Sequence, residues 1–170
     1  MGGDPHTKAS KRGVNLGIEG GATRTIALFA DSRGQILKRI ETRPLNLKLS
    51  SDDEILRAFR GLRLARSTVR TVSICLAGCR TERDRARIRD LAARIWPHAG
   101  CLAGSDLESG FAAAFGPDGT GILVISGTGS CVFGRDGDKS VKAGGLGHLL
   151  GDRGSGYWIA LQNLRAAILD

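Results

Sequence analysis

Short apolar runs separated by turn residues dominate the start of the chain. Residues 14–20 and 24–30 have the apolar character of buried strands, and Asp31 to Gly34 form a turn signal before a third strand-like run at residues 35–42. Strands this close in sequence are joined by tight turns, which favour antiparallel pairing. The pattern therefore predicts an antiparallel β-meander.

Two stretches of helical periodicity follow the meander. The first begins at Ser50 or Ser51, whose hydroxyl can cap a helix with acids in its first turn. The second is a charged helix at residues 81–95 that Pro97 closes. The apolar positions are Ile55, Leu56, Phe59, Leu62 and Leu64 in the first helix and Ile88, Leu91, Ala92 and Ile95 in the second.

Strands and helices alternate through the rest of the chain. The predicted elements are strands at 71–77, 99–103 and 121–126, a helix at 106–115, a hairpin of 131–135 and 139–143 with its turn at Asp136-Gly137, and an amphipathic helix at 155–170. This order predicts an α/β domain with a mixed sheet. The last helix has no Gly or Pro stop signal, which favours a natural unit that continues.

Composition and charge narrow this picture. With 170 residues, of which 41% are hydrophobic, the chain has the size of one ordinary domain and can bury a core. The formal net charge of +8 raises nucleic-acid binding as an alternative. However, the arginines are spread along the chain, and acids alternate with them in residues 81–90, which is typical of a solvated helix face. We therefore expect no nucleic-acid partner.

The four cysteines indicate a reducing, cytoplasmic compartment. Cys75 and Cys79 are four residues apart, but no second pair completes a set of metal ligands with Cys101 or Cys131. No apolar stretch reaches the roughly 20 residues that span a bilayer. Residues 1–13 are polar and lack the apolar centre of a signal peptide. We expect a loose tail there and no membrane association.

The first motif that could bind a ligand runs from Gly17 to Thr25 and connects two predicted strands. Gly20 and Gly21 allow backbone amides to approach a phosphate, and a hydroxyl can donate to it. Glu19 would repel phosphate directly, so its expected role is to hold a hydrated Mg²⁺. The alternative is a plain hairpin turn. A Walker A loop is excluded, because no Gly-Lys-Ser/Thr follows.

A second turn of the same design, Gly127-Thr128-Gly129-Ser130, ends the strand at residues 121–126. Such turns are common, and one alone says little. Two of them in one chain, each between apolar strands, favour binding of nucleotide phosphate.

Asp106 follows one predicted strand and opens a helix. Aspartate is well suited to cap a helix. It is also well placed to act as a general base, because α/β proteins put their sites at the carboxyl ends of strands. The two roles can coexist.

A glycine-rich segment, residues 144–158, is the longest motif. It contains six glycines between positions 144 and 156, and ordering them on folding costs more conformational entropy than a simple connecting loop would need to lose. The backbone must therefore pass close to another group or take positive φ repeatedly. Asp152 could accept hydrogen bonds from a polyol, whereas His148 is more typical of a structural histidine.

Three of these motifs together resemble a known family. Gly-Ile-Glu-Gly-Gly-Ala-Thr-Arg-Thr, Ile-Ser-Gly-Thr-Gly-Ser and Gly-Gly-Leu-Gly-His-Leu-Leu-Gly-Asp-Arg-Gly-Ser-Gly-Tyr-Trp-Ile-Ala look like N-acetylglucosamine kinases and their BadF/BadG/BcrA/BcrD-type ATPase relatives, in order and spacing. The likeness runs from about residue 14 to the end. It implies an α/β lobe of the actin-like ATPase (ribonuclease H-like) fold, with a mixed central sheet flanked by helices.

The resemblance also implies a domain division. Residues 1–13 would be a flexible tail, residues 14–154 an N-terminal lobe, and residues 155–170 the start of an interlobe helix. The family has a second lobe that carries most of the adenosine pocket, and this lobe is expected to be missing here. We therefore expect little or no turnover from this chain alone.

The resemblance further implies ATP-dependent phosphoryl transfer to an amino sugar, above all N-acetylglucosamine, with ATP and Mg²⁺ as cofactors. Asp106 would take the proton of the sugar hydroxyl, and Glu19 would lie near the metal. A homodimer is compatible with this assignment. The implied phosphate contacts are Gly20, Gly21, Thr23, Gly127, Thr128 and Gly129, and the implied sugar contacts are Asn46, Asp106, Ser130, Cys131, Gly145, Leu146, Gly147 and Asp152.

Three residues depart from the family pattern. Ala22 stands where a third glycine is usual, Leu146 where tryptophan is common, and Arg153 where glutamate is usual. Two other functions therefore stay open: a BadF-type ATPase that activates a reductase or dehydratase, and a non-catalytic sugar-binding module or remnant. The cysteines lack the paired arrangement of an iron–sulfur cluster, which argues against the first.

Overall fold

The computed structural model describes residues 13–62 and 69–169. The chain forms two compact units: unit 1 ends at Asp106, and unit 2 begins at Leu107. This boundary falls inside the lobe predicted over residues 14–154, and that assignment stays a prediction. All but the last residue of the predicted tail, as well as the predicted helix position Leu64, lie outside the described residues.

A five-stranded mixed sheet forms the centre of unit 1. Its strands are β1 (Val14–Gly20), β2 (Thr25–Ala30), β3 (Ile36–Thr42), β4 (Val69–Leu76) and β5 (Gly100–Gly104). The spatial order is β3-β2-β1-β4-β5, with β1, β2 and β3 antiparallel and β1, β4 and β5 parallel. The predicted meander and the predicted mixed sheet are thus confirmed.

The two helices of unit 1 begin at capping boxes. In α1 (Asp52–Gly61) the Ser51 hydroxyl accepts from the Glu54 N–H, and the Glu54 carboxylate accepts from the Ser51 N–H. Thr81 and Asp84 form the same reciprocal pair at the start of α2 (Glu82–Ala93). Both helices therefore start where the sequence predicts.

The core of unit 1 lies between these helices and one face of the sheet. Alternate residues of three strands are buried there together with the apolar stripes of both helices. The shared buried set includes Leu16, Ile18, Ala27, Phe29, Val72, Ile74, Leu76, Ile55, Leu56, Phe59, Ile88, Leu91 and Ala92. This packing fixes the strand ends from which the site is built.

Unit 2 contains a three-stranded antiparallel sheet. Its elements are α3 (Asp106–Phe115, of which Asp106 is the last residue of unit 1), β6 (Gly121–Ser126), β7 (Ser130–Asp136), β8 (Lys139–Gly144) and α4 (Gly156–Leu169). On one sheet face the Phe111 ring of α3 meets Phe133 at 5.4 Å between centroids, and the Arg135 guanidinium lies 4.6 Å from the Phe111 centroid.

Two local predictions for unit 2 change in the structure. The hairpin loop is Gly137-Asp138 rather than Asp136-Gly137, because Asp136 still pairs with Lys139 and Gly137 takes the positive φ of +55°. Helix α4 forms as predicted, but none of its residues is buried. Within the described residues, no helix combines the length and the apolar character needed to cross a membrane.

Candidate active site

The first glycine-rich turn is a tight hairpin between β1 and β2. The Gly21 N–H donates to the Arg24 carbonyl at 2.9 Å, which closes the turn. A Cβ on Gly20 would lie 2.6 Å from both the Leu45 carbonyl oxygen and Leu76 Cδ2, so packing alone requires glycine there. The side chain of Thr23 is exposed at the tip. The turn is thus a structural hairpin that also presents a hydroxyl to solvent.

Parallel pairing brings three predicted site residues to one sheet edge. The strands β1, β4 and β5 run in the same direction, so Glu19, near the end of β1, and Asp106, two residues beyond β5, lie at their carboxyl ends. Asn46 forms a parallel bridge with Ala77, directly after β4. The Ala77 N–H donates to the Gly20 carbonyl at 2.7 Å, which joins this bridge to the first turn.

Asp106 is the first residue of α3, whereas a helix cap would be the residue before it. An acid in the first turn of a helix interacts favourably with the helix dipole. Asp106 is therefore not the cap residue that the sequence favours, and its assignment as a general base stays a prediction.

Glu19 fits the way in which proteins bind magnesium. Its side chain is exposed at the end of β1, and no group of three or more His, Cys, Asp or Glu side chains around one point occurs in residues 13–62 and 69–169. Mg²⁺ usually keeps several waters and uses one or two carboxylates together with substrate phosphates. A single carboxylate beside a turn that is predicted to contact phosphate would therefore be sufficient, whereas the described residues form no all-protein cage.

In unit 2 the second turn and the glycine-rich segment form one local structure. The Gly156 N–H donates to the Gly127 carbonyl at 2.8 Å. The Ser126 and Ser130 hydroxyls donate to the carbonyls of Gly154 and Arg153, each at 2.7 Å. Three hydrogen bonds thus wrap residues 153–156 around the turn that contains Thr128, whose side chain is exposed.

Asp152 is the most unusual residue of this structure. Its φ of +54° makes it the one non-glycine residue with positive φ among those described. A Cβ on Gly129 would lie 2.8 Å from its Oδ2, so the carboxylate lies directly against the turn. Its Oδ1 is buried and has no hydrogen-bond partner within the described part of the chain. A buried acceptor without a donor costs about 1–3 kcal/mol, so this oxygen makes Asp152 a candidate for a role in the site.

The remaining predicted sugar contacts lie beside the same turn. The Gly145 N–H donates to the Ser130 carbonyl at 2.9 Å, and a Cβ on Gly145 would approach Cys131 Cβ to 3.2 Å. Gly145 and Gly147 have φ of +64° and +84°, so glycine is required by the backbone. Leu146 lies between them with its side chain exposed. His148 packs against the Tyr157 ring, which fits a structural role.

The interpretation of residues 81–90 as a solvated face is wrong for Asp84 and Arg87. Asp84 is only 7% exposed, and Lys48 Nζ lies 2.5 Å from its Oδ1. This ion pair, followed by the Arg80 N–H, holds the pKa of Asp84 well below its usual range. The spacing of Thr81 and Asp84 is that of a capping box and could have signalled that Asp84 binds the helix start. No sequence pattern points to its burial or to Lys48.

The chain is similar in sequence to curated amino-sugar kinases. Over 162 residues the chain is 30% identical to an N-acetylmuramic acid/N-acetylglucosamine kinase of Clostridium acetobutylicum, covering 90% of this chain and 53% of that protein. It is 32% identical over 176 residues to an N-acetyl-D-glucosamine kinase of Dictyostelium discoideum, covering 89% and 53%. The chain therefore spans about half the length of the curated relatives it matches.

Solved structures support the fold. A candidate N-acetylglucosamine kinase from Porphyromonas gingivalis matches with a TM-score of 0.77 and 28% identity, over 90% of this chain and 56% of that one. A candidate sugar kinase from Cytophaga hutchinsonii, at 19% identity and a TM-score of 0.57 over 93% and 63%, shares the fold. The expected actin-like α/β fold is thus confirmed. Because the BadF/BadG/BcrA/BcrD ATPase family model matches residues 16–170, this chain belongs to that family.

Proposed function

We propose that this chain supplies the phosphate and sugar contacts of an amino-sugar kinase, which transfers the γ-phosphoryl group of ATP to a hydroxyl of N-acetylglucosamine. The observation that carries the proposal is the buried, unpartnered Oδ1 of Asp152 beside the second turn. A polyol hydroxyl is the kind of donor that this oxygen lacks. The substrates named for the relatives from C. acetobutylicum and D. discoideum support the same class of sugar.

Phosphoryl transfer requires positioning and charge neutralisation more than covalent chemistry from the protein. In the proposed reaction, Asp106 accepts the proton of the attacking sugar hydroxyl. Asn46 and Asp152 orient the sugar through hydrogen bonds. The exposed hydroxyls of Thr23 and Thr128 donate hydrogen bonds to phosphate oxygens and so stabilise the negative charge that develops on them during transfer.

Glu19 is the residue that would hold Mg²⁺, through water at the end of β1. When bound, the cation neutralises phosphate charge and so favours transfer. The carboxylate of Glu19 stays on the solvent side of the first turn. It would hold the cation by accepting hydrogen bonds from its hydration water.

Saturation-transfer NMR of the 170-residue chain with N-acetylglucosamine tests the sugar site, because it detects weak as well as tight ligands. We expect saturation transfer to the N-acetylglucosamine signals with the wild-type chain and weaker transfer with Asp152→Asn, because a neutral amide oxygen is a poorer acceptor than a carboxylate. Asparagine tolerates the positive φ at this position, so the backbone is kept. Asp118→Asn, which changes an exposed carboxylate of the same unit, is the matched control. No transfer from the wild-type chain would contradict the proposal.

Calorimetric titration with Mg·ATP separates the kinase from a sugar-binding module. We expect the chain to bind both sugar and nucleotide. Sugar binding without nucleotide binding, in both the presence and the absence of Mg²⁺, would instead favour a non-catalytic module.

A further inference from the structure

The loop that carries Asn46, residues 43–51, is held tightly although it has no regular structure. We call it the Asn46 loop. Leu45 and Leu47 on either side of Asn46 are 4% and 0% exposed. The Leu47 N–H donates to the Ala77 carbonyl at 2.8 Å. Asn46 is therefore fixed between two buried leucines at the carboxyl end of β4.

The side-chain amide of Asn46 has a defined orientation. Its Oδ1 accepts a hydrogen bond from the Lys48 N–H at 2.9 Å, so the oxygen must face that donor. A Cβ on Gly78 would lie 2.6 Å from the same oxygen, so glycine leaves the space that this orientation needs. Among the described residues, no hydrogen bond involves Asn46 Nδ2. The amide thus offers its two N–H groups to an acceptor.

Lys48 is in turn tied to the start of α2. Its Nζ lies 2.5 Å from Asp84 Oδ1, while Asp84 Oδ2 accepts from the N–H groups of Arg80 and Thr81 at 3.0 and 2.9 Å. Asp84 is thereby held by the helix start and cannot follow the loop. The Asp84 side chain is 9% exposed and that of Lys48 is 52% exposed. The carboxylate of this pair is therefore buried, and the lysine side chain is half exposed.

A second contact holds the far part of the same loop. Arg87 donates to the Leu47 and Ser50 carbonyls at 2.6 and 3.0 Å and pairs with Asp52. Arg87 thus binds the loop backbone after Asn46. Lys48 differs because its own backbone N–H orients the Asn46 side-chain amide. Loss of the Asp84 contact should therefore loosen the amide without detaching the whole loop.

From these contacts we infer that Asp84 is a positioning residue, which acts through Lys48 to present the Asn46 side-chain amide as a donor to a hydroxyl or carbonyl oxygen of the sugar. The inference rests on the proposed function for the identity of the ligand. The positioning itself is a property of the chain without ligand, so the two can be tested separately.

Hydrogen exchange of the Lys48 N–H measures the positioning directly. In Asp84→Asn we expect this amide to exchange roughly tenfold faster, which corresponds to loss of one charge-assisted contact. Lys48→Met should give the same acceleration, and the double variant no more than either alone. Asp90→Asn makes the same chemical change on an exposed residue of α2 and should leave the rate unchanged.

Two exchange results would overturn the inference. One is an unchanged Lys48 rate in Asp84→Asn. The other is equal acceleration at the core amide of Ile74, because this would show general destabilisation of unit 1 instead of a local effect.

Sugar binding in a double-mutant cycle then tests the action through Asn46. Asp84→Asn should weaken N-acetylglucosamine binding roughly three- to tenfold in the wild-type background and have no further effect in Asn46→Ala. Equal weakening in both backgrounds would refute the role. If the wild-type chain binds no N-acetylglucosamine, the proposed function fails, and the exchange experiment alone decides the positioning role.

Discussion

Units 1 and 2 share one local design, but unit 1 buries far more of it than unit 2. Each has three antiparallel strands with a glycine- and threonine-containing turn between the first two. In unit 1 two parallel strands extend the sheet and two helices cover one face. In unit 2 the buried residues among those described are Phe111 and Ser155. Similar strands therefore have different environments.

The difference is clearest in the first strand of each unit. Leu16 and Ile18 of β1 are 2% and 3% exposed, whereas Ile122 and Val124 of β6 are 69% and 67% exposed. Alternation of side chains places each pair on one sheet face. The comparison teaches that an apolar pattern specifies a strand, while its burial depends on what packs against that face.

The largest contrast should appear between two strand isoleucines. Ile74→Ala removes a fully buried side chain from β4 and should lower the free energy of unfolding by about 2–5 kcal/mol. Ile122→Ala changes an exposed residue and should alter it by less than about 0.5 kcal/mol. Urea unfolding measures both effects. Trp96 fluorescence in a Trp158→Phe background follows unit 1 for the Ile74 variant, and far-UV circular dichroism, which reports on both units, follows the Ile122 variant.

A large loss in the Ile122 variant would break this comparison. It would show that burial within each unit is a poor guide to stability.

Gly20 of the first turn and Gly127 of the second should differ next, because packing requires glycine only at Gly20. Gly20→Ala would force a Cβ to within 2.6 Å of the Leu45 carbonyl and should cost about 1–3 kcal/mol. At Gly127 a Cβ would meet nothing within 4 Å, so Gly127→Ala should be nearly neutral in stability. Unfolding of both variants measures this, and Mg·ATP titration of the Gly127 variant then reports the phosphate site without a folding defect. Equal stability of the two variants would contradict the packing argument.

Much of the fold could be predicted because its signals are local. Ser51 with Glu54 marks the start of α1, and apolar runs mark the strands to within a residue or two. The Asp136-Gly137 signal predicts the hairpin turn one residue early, because pairing of Asp136 with Lys139 depends on register and not on the Asp-Gly pair. Local sequence thus predicts elements better than their ends.

Only those parts of the candidate site that lie in sequence motifs could be predicted from the sequence. The turns around Thr23 and Thr128 are visible as glycine clusters. The contact between Lys48 and Asp84 joins residues 36 positions apart, and no periodicity or cap links Lys48 to α2. The buried, unpartnered oxygen of Asp152 likewise arises from a backbone with positive φ that the sequence does not specify. Such features depend on tertiary structure.

Helix caps offer a smaller comparison between the units. Ser51→Ala removes the hydroxyl that accepts from the Glu54 N–H and should cost about 1 kcal/mol of unit 1 stability. Ser155 accepts from the Trp158 N–H at the start of α4, a helix with no buried residue. Ser155→Ala should therefore reduce helicity measured by circular dichroism and leave the Trp96 unfolding transition in place. A shift of that transition as large as the one in Ser51→Ala would contradict the independence of the two units.

The smallest effect we expect is the pH dependence that Asp84 gives to unit 1, because its partner Lys48 is half exposed and water screens the pair. The hydrogen bond from Lys48 and the backbone donors lower the pKa of Asp84 in the folded chain, whereas in the unfolded chain it is about 3.9. A lowered pKa contributes stability above the unfolded value and loses it as the pH falls toward the folded one. The stability difference between wild type and Asp84→Asn should thus be constant from about pH 5 to 7 and shrink below about pH 4.

Urea unfolding at several pH values measures this stability difference, with Asp90→Asn as the exposed control. A difference that grows as the pH falls would show that the carboxylate is not stabilised in its ionised form.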